Sequence, residues 1–159
     1  MQDSKRKIAV ITPVKHLNLD KLIESKGDVF YAENGSKEEV RDLIINESID
    51  TLLCNPNKQE FVIDKELLSG SKIRLINTCS TGLSHIDINY CRENNIEIFS
   101  LTKDYDLINN LPSTSELAFG LMIDLLRNIS SSQDHVRKYN WDYTKFIGRQ
   151  IKDLKIGII

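Results

Sequence analysis

Residues 73–87 read IRLINTCSTGLSHID. Ile73–Thr78 is a short apolar run, the pattern of a buried strand. Ser80–His85 is polar and contains Gly82, the pattern of a tight loop. Asp87 stands directly before a segment expected to be helical, Ile88–Glu93, where its carboxylate would satisfy free amides. Strand, loop and capped helix form the repeating unit of a parallel sheet.

The same unit recurs on both sides. Lys7–Thr12 (KIAVIT), Asp28–Ala32, Thr51–Cys54 and Ile96–Leu101 are the other expected strands. Leu19–Ser25 looks helical, with Gly27 as its stop. Ser36 precedes KEEVRDLIIN, an amphipathic helix with an N-cap, and Asp64–Leu68 is a short helix. Five strands alternating with helices imply an α/β fold, a parallel sheet covered on both faces.

Composition sets the outer bounds. The chain has 159 residues, 40% hydrophobic and 28% charged, with a formal net charge of −2. That balance argues against nucleic-acid binding through a basic surface. No apolar stretch approaches the roughly 20 residues of a membrane helix, so no membrane partner is expected. The three cysteines, Cys54, Cys79 and Cys91, are odd in number, widely spaced and without a CxxC pair, so neither a disulfide framework nor a metal site is expected. Cys54 and Cys79 are read as small buried hydrophobes. Met1–Lys7 is polar, which with the cysteines points to a reducing, cytoplasmic setting.

After Leu101 the pattern changes. Thr102–Leu111 is polar and turn-rich, and Pro112 follows. Ser113 and Glu116 have the spacing of a capping box. Leu117–Ile129 is apolar on most sides, as for a helix buried between two bodies, and it is expected to run on past Ser130–Ser132 towards Tyr139. Trp141–Arg149 reads as a loop. Lys155–Ile159 (KIGII) reads as the start of a new buried strand. A strand in that position implies the front part of a longer protein; the alternative is a last strand that pairs back into the first sheet.

Three stretches carry a resemblance: INTCSTGLSHID at 76–87, PSTSELAFGLMIDLLRNI at 112–129 and WDYTKFIGRQIKDLKIGII at 141–159. In this order they resemble the D-isomer-specific 2-hydroxyacid dehydrogenases, the family that includes D-3-phosphoglycerate dehydrogenase-like proteins. Ser80 stands where many members have Gly, and Ser115 where Ala commonly precedes the Glu. The resemblance implies a flavodoxin-like substrate domain over residues 1–101. Over 102–159 it implies the interdomain helix and the opening of a Rossmann-type, NAD-binding domain. It implies hydride transfer between a nicotinamide cofactor and a small 2-hydroxy or 2-oxo acid, with NAD as cofactor and NADP left open, and a homodimer. The family's catalytic arginine, glutamate and histidine match no position here, and no G-x-G-x-x-G occurs among these residues. These 159 residues are therefore expected to be inactive alone.

Position adds a candidate site. Ligands of doubly wound sheets gather outside the carboxyl ends of the strands. Three loops lie at that edge: Pro13–His16, Asn55–Lys58 and Ser80–His85. In the third, Thr81-Gly82 would let the backbone turn sharply, so that successive N–H groups face an anion, aided by the helix start that follows. The plain alternative is an ordinary βα turn. The resemblance assigns the amides of Ser80, Thr81 and Gly82 to the substrate carboxylate, and places Thr81 and Thr114 beside the nicotinamide. His85 reads as a helix-capping loop histidine that could contact substrate. Lys15 and His16 read as an exposed basic pair, Asn55 and Asn57 as turn residues, and His135 as solvated. The competing function is a non-enzymatic flavodoxin-like domain that binds a small anion or a partner protein.

Overall fold

A computed structural model describes residues 5–56 and 61–157 of the chain. Asn57 and Lys58 of the second candidate loop, and Ile158 and Ile159 of the expected last strand, lie outside them. Two compact units divide the chain, Met1–Tyr105 and Asp106–Ile159.

The first unit holds five strands: β1 (Arg6–Val10), β2 (Gly27–Tyr31), β3 (Thr51–Cys54), β4 (Leu75–Thr78) and β5 (Glu97–Phe99). All pair in parallel, in the order β2-β1-β3-β4-β5. This is the flavodoxin-like order, with its switch point between β1 and β3. The helices between them are α1 (Asp20–Glu24), α2 (Lys37–Asn46), α3 (Lys65–Leu68) and α4 (Ile88–Glu93). Strand limits differ from the sequence reading by at most two residues, and β3 agrees with it at both ends.

Alternation along the strands sorts the core into two layers. Ala9, Leu52 and Ile76 pack with Val40 and Ile44 of α2, Leu67 and Leu68 of α3, and Cys91 of α4. Ile8 and Val10 pack on the other face with Val14, Leu19 and Ile23. Coverage there is incomplete: Asn77 and Phe99 are exposed. The expected two-sided cover is thus met over β1 and β2 but not over β4 and β5.

Local capping follows the sequence where the cap residue is extended. Ser36 (φ −63°, ψ 165°) accepts from the Glu39 N–H, and the Glu39 carboxylate accepts from the Ser36 N–H. Asp87 accepts from the Tyr90 N–H at 3.0 Å. Gly27 does not stop a helix; it begins β2 opposite Arg6. A Cβ there would lie 2.4 Å from the Arg6 carbonyl oxygen, so this position requires glycine. Cys79 is exposed, unlike Cys54 and Cys91, because it follows the end of β4.

In the second unit α5 (Tyr105–Asn109, whose first residue belongs to the first unit) leads to α6 (Ser113–Arg127) and α7 (Ile129–Arg137). The expected Ser113–Glu116 capping box is absent. Pro112 is already helical (φ −74°, ψ −8°), so Ser113 lies inside the helix, and Ser115 donates to the Pro112 carbonyl. Nor does one helix run through to Tyr139. Asn128 adopts a left-handed conformation (φ 53°) and ends α6, while the Asp124 carboxylate takes the Ser130 N–H and hydroxyl at the start of α7. Leu117, Phe119, Leu121 and Leu125 of α6 remain exposed, Leu125 at 81%, so the expected burial of this helix is not seen. Trp141–Arg149 contains a short 3-10 turn, Tyr143–Phe146. Lys155–Gly157 is not a strand. His135 is half-buried, edge-on to Phe146 at 5.2 Å, rather than solvated.

Replacing Gly27 by Ala is expected to destabilise the first unit by about 1–3 kcal/mol, because the new methyl must displace backbone. Urea denaturation checks it through a lowered midpoint at unchanged slope.

Candidate functional site: the turn after β4

The carboxyl ends of β1, β3 and β4 define the edge where ligands collect in such sheets. Lys15 and His16 lie in an exposed 3-10 turn after β1, and the Lys15 ammonium sits 4.8 Å above the Tyr31 ring. Asn55 follows β3. The turn after β4 is the best defined of the three.

This turn is held by its carbonyls. The Ser80 carbonyl accepts from the Leu101 N–H at 3.0 Å. The Thr81 carbonyl accepts from the Thr102 hydroxyl at 3.0 Å. The Gly82 carbonyl accepts from the Ser80 hydroxyl at 2.7 Å. In a planar trans peptide the N–H of the next residue points opposite to the carbonyl. The three tethers therefore turn the N–H groups of Thr81, Gly82 and Leu83 away from the bonds that hold the loop. None of these N–H groups has a partner among the described residues. Three consecutive free donors in a partly exposed turn suit an oxyanion.

Two details depart from the sequence reading. Gly82 has no left-handed φ; its missing side chain instead leaves open space, with nothing within 4 Å of a Cβ. The start of α4 adds no free positive end, because the Asp87 carboxylate occupies it.

His85 departs further. It caps no helix and is buried, 8% exposed, with its carbonyl accepting from the Ile63 N–H at 2.9 Å. Its Nε2 lies 2.9 Å from the Thr78 hydroxyl and 3.9 Å from Cys54 Sγ. The Thr78 hydroxyl is in turn 2.9 Å from that of Ser80. Burial pushes the imidazole below its ordinary range and the Cys54 thiol up to about 12, so both are neutral at pH 7. Thr78, Leu101 and Thr102 were not singled out from sequence. Thr78 and Ser80, two apart at a strand end, carry a readable signal, since such residues share a face. Leu101 and Thr102 carry none, because a connection across the sheet brings them in.

Ser80, Thr81 and Gly82 thus form one turn. Thr114 belongs to the other unit, exposed in the first turn of α6. Among the described residues no group of three or more His, Cys, Asp or Glu side chains is placed to hold a metal, and no helix is long and apolar enough to cross a membrane.

Comparison with known proteins shows what the chain is similar to. No family model matches the chain. D-3-phosphoglycerate dehydrogenase of Methanocaldococcus jannaschii is 26% identical over 153 residues, 96% of this chain and 27% of that protein. Among solved structures, D-lactate dehydrogenase of Aquifex aeolicus, complexed with NAD and lactic acid, aligns with a TM-score of 0.67 at 18% identity, over 94% of this chain and 42% of that one. NAD-dependent formate dehydrogenase of Staphylococcus aureus, in complex with NAD, aligns with a TM-score of 0.70 at 20% identity, over 88% and 44%. The structures speak for the fold. The chain spans about a quarter of the length of the first of these proteins and under half of the other two. The chain is thus similar in sequence to D-3-phosphoglycerate dehydrogenase and in fold to D-lactate and formate dehydrogenases, over part of their length.

Proposed function

We propose that this chain is the substrate-side part of a nicotinamide-dependent D-2-hydroxyacid dehydrogenase, and that the turn after β4 binds the carboxylate of a 2-oxo or 2-hydroxy acid. The observation that carries this is the set of three free N–H groups at Thr81, Gly82 and Leu83, each fixed by a tethered carbonyl. Binding through preformed donors costs little reorganisation, and a charged acceptor strengthens each bond. On this reading residues 1–101 form the substrate domain, and 102–159 the interdomain helix with the opening of the cofactor domain.

The cofactor itself supplies the hydride. These 159 residues hold no G-x-G-x-x-G turn, and Gly70, the one glycine with a left-handed φ among the described residues, lies just after α3. They therefore do not fit the pyrophosphate of a dinucleotide. Thr81 and Thr114 are proposed only for the nicotinamide end, and no hydride step is assigned to this chain's side chains. NAD is the cofactor we favour, as in two of the structural neighbours. A homodimer in the cytoplasm is part of the same proposal, supported by the exposed apolar side chains of α6 and by three free thiols.

Oxalate and pyruvate are expected to bind with a dissociation constant on the order of 1 mM, shifting the amide resonances of Thr81, Gly82 and Leu83. Thr102→Val removes the tether on the Thr81 carbonyl and is expected to weaken binding about threefold. A spectrum unchanged up to tens of millimolar ligand would count against the carboxylate site. The 159-residue chain is expected to show no NADH oxidation with any 2-oxo acid; turnover above the uncatalysed rate in a spectrophotometric assay would contradict the proposed division of labour.

A further inference from the structure

The bonds around the turn admit one proton arrangement. The Gly82 carbonyl only accepts, so the single Ser80 hydroxyl proton points to it. Ser80 then has no proton left for Thr78, and the bond between the two hydroxyls uses the Thr78 proton. Thr78 in turn has none left for the imidazole, so its oxygen accepts from His85 Nε2–H. The chain runs His85 Nε2–H to Thr78, Thr78 to Ser80, and Ser80 to the Gly82 carbonyl. His85 must then be the neutral tautomer with a bare Nδ1. That atom is buried and has no partner among the described residues.

We infer that His85 is a positioning residue, the buried donor at the head of a hydroxyl relay that holds the Gly82 carbonyl inward and so presents the Leu83 N–H to the anion. This rests on the reading of the turn as a carboxylate site. Two features make His85 a firm starting point. Its carbonyl accepts from the Ile63 N–H at 2.9 Å, and the next residue, Ile86, pairs with Ile63 in an isolated parallel bridge closed by the Asp87 N–H on the Ile63 carbonyl at 2.9 Å. Protonation would place a second N–H in a buried position with no acceptor, and desolvation accordingly holds the imidazole neutral. The unpartnered Nδ1 is the cost of this arrangement. A Thr or Ser in the place of His85 is too short to reach Thr78, whereas the Gln side-chain amide reaches a similar distance and donates.

The test uses the 159-residue chain with oxalate as the probe. Long-range nitrogen–proton spectra of the His85 ring are expected to show the Nε2–H tautomer at pH 7. His85→Leu and Ser80→Ala are each expected to weaken oxalate binding five- to tenfold and to move the Leu83 amide resonance. The double variant should bind no more weakly than either single one, because both cut one chain. His85→Gln should bind within twofold of the unchanged chain. If His85→Leu fails to fold, Ser80→Ala and His85→Gln carry the comparison, since Ser80 lies at the surface end of the relay. An Nδ1–H tautomer overturns the proposal, as do additive losses in the double variant or wild-type binding by both His85→Leu and Ser80→Ala. If the unchanged chain binds no oxalate while tautomer and resonance shifts follow expectation, the carboxylate reading fails and the relay stands.

Discussion

A peptide unit cannot turn its carbonyl inward without turning the following N–H outward. The turn after β4 applies this constraint at three successive units. Each carbonyl is held by a different part of the first unit: the Leu101 backbone, the Thr102 hydroxyl and the Ser80 hydroxyl. The donors left over are thus consequences of the tethers and not of an unusual backbone. Gly82 needs no left-handed φ to take part. The parallel order β2-β1-β3-β4-β5 matters because it sets β4 beside β5, so that the segment after β5 crosses back over the turn and supplies two of the three tethers.

Much of this first unit was legible in the sequence. Its strands are short apolar runs closed by turn residues, and a run buried by a parallel sheet has little choice of structure. Two helix caps, Ser36 and Asp87, were legible because the interaction spans three residues. Ser113 and Glu116 show the limit of that argument. Their spacing matches Ser36 and Glu39, but Pro112 comes with its φ already suited to a helix, so the helix begins there and Ser113 no longer caps it. Asn128 escaped notice for a related reason: asparagine tolerates the left-handed conformation that ends α6, yet nothing in its neighbours demands it.

The candidate site was half legible. Position after a strand and polar composition mark Ser80–Gly82 from sequence alone. What holds the turn was not legible, since Leu101 and Thr102 are some twenty residues away and His85 looks like any polar loop residue. Burial changes its character: a solvated imidazole would be a pH-sensitive cation, whereas this one is a neutral donor. Three ordered motifs carried the resemblance, and the chain is similar to known proteins of that kind over part of their length. Incomplete cover of β4 and β5 and the exposed face of α6 were not foreseen, because periodicity marks a face as apolar without saying what lies on it.

The central claim is that the N–H groups of Thr81, Gly82 and Leu83 stand unbonded and ready for an anion. Amide hydrogen exchange, measured residue by residue with and without saturating oxalate, tests it most directly. All three amides are expected to exchange as fast as in an open chain when the ligand is absent, and to become protected together when it is present, while the Cys79 amide, bonded to the Cys54 carbonyl at 3.3 Å, stays protected throughout. Protection of these three amides in the unliganded chain, or protection by oxalate elsewhere but not here, would contradict the account.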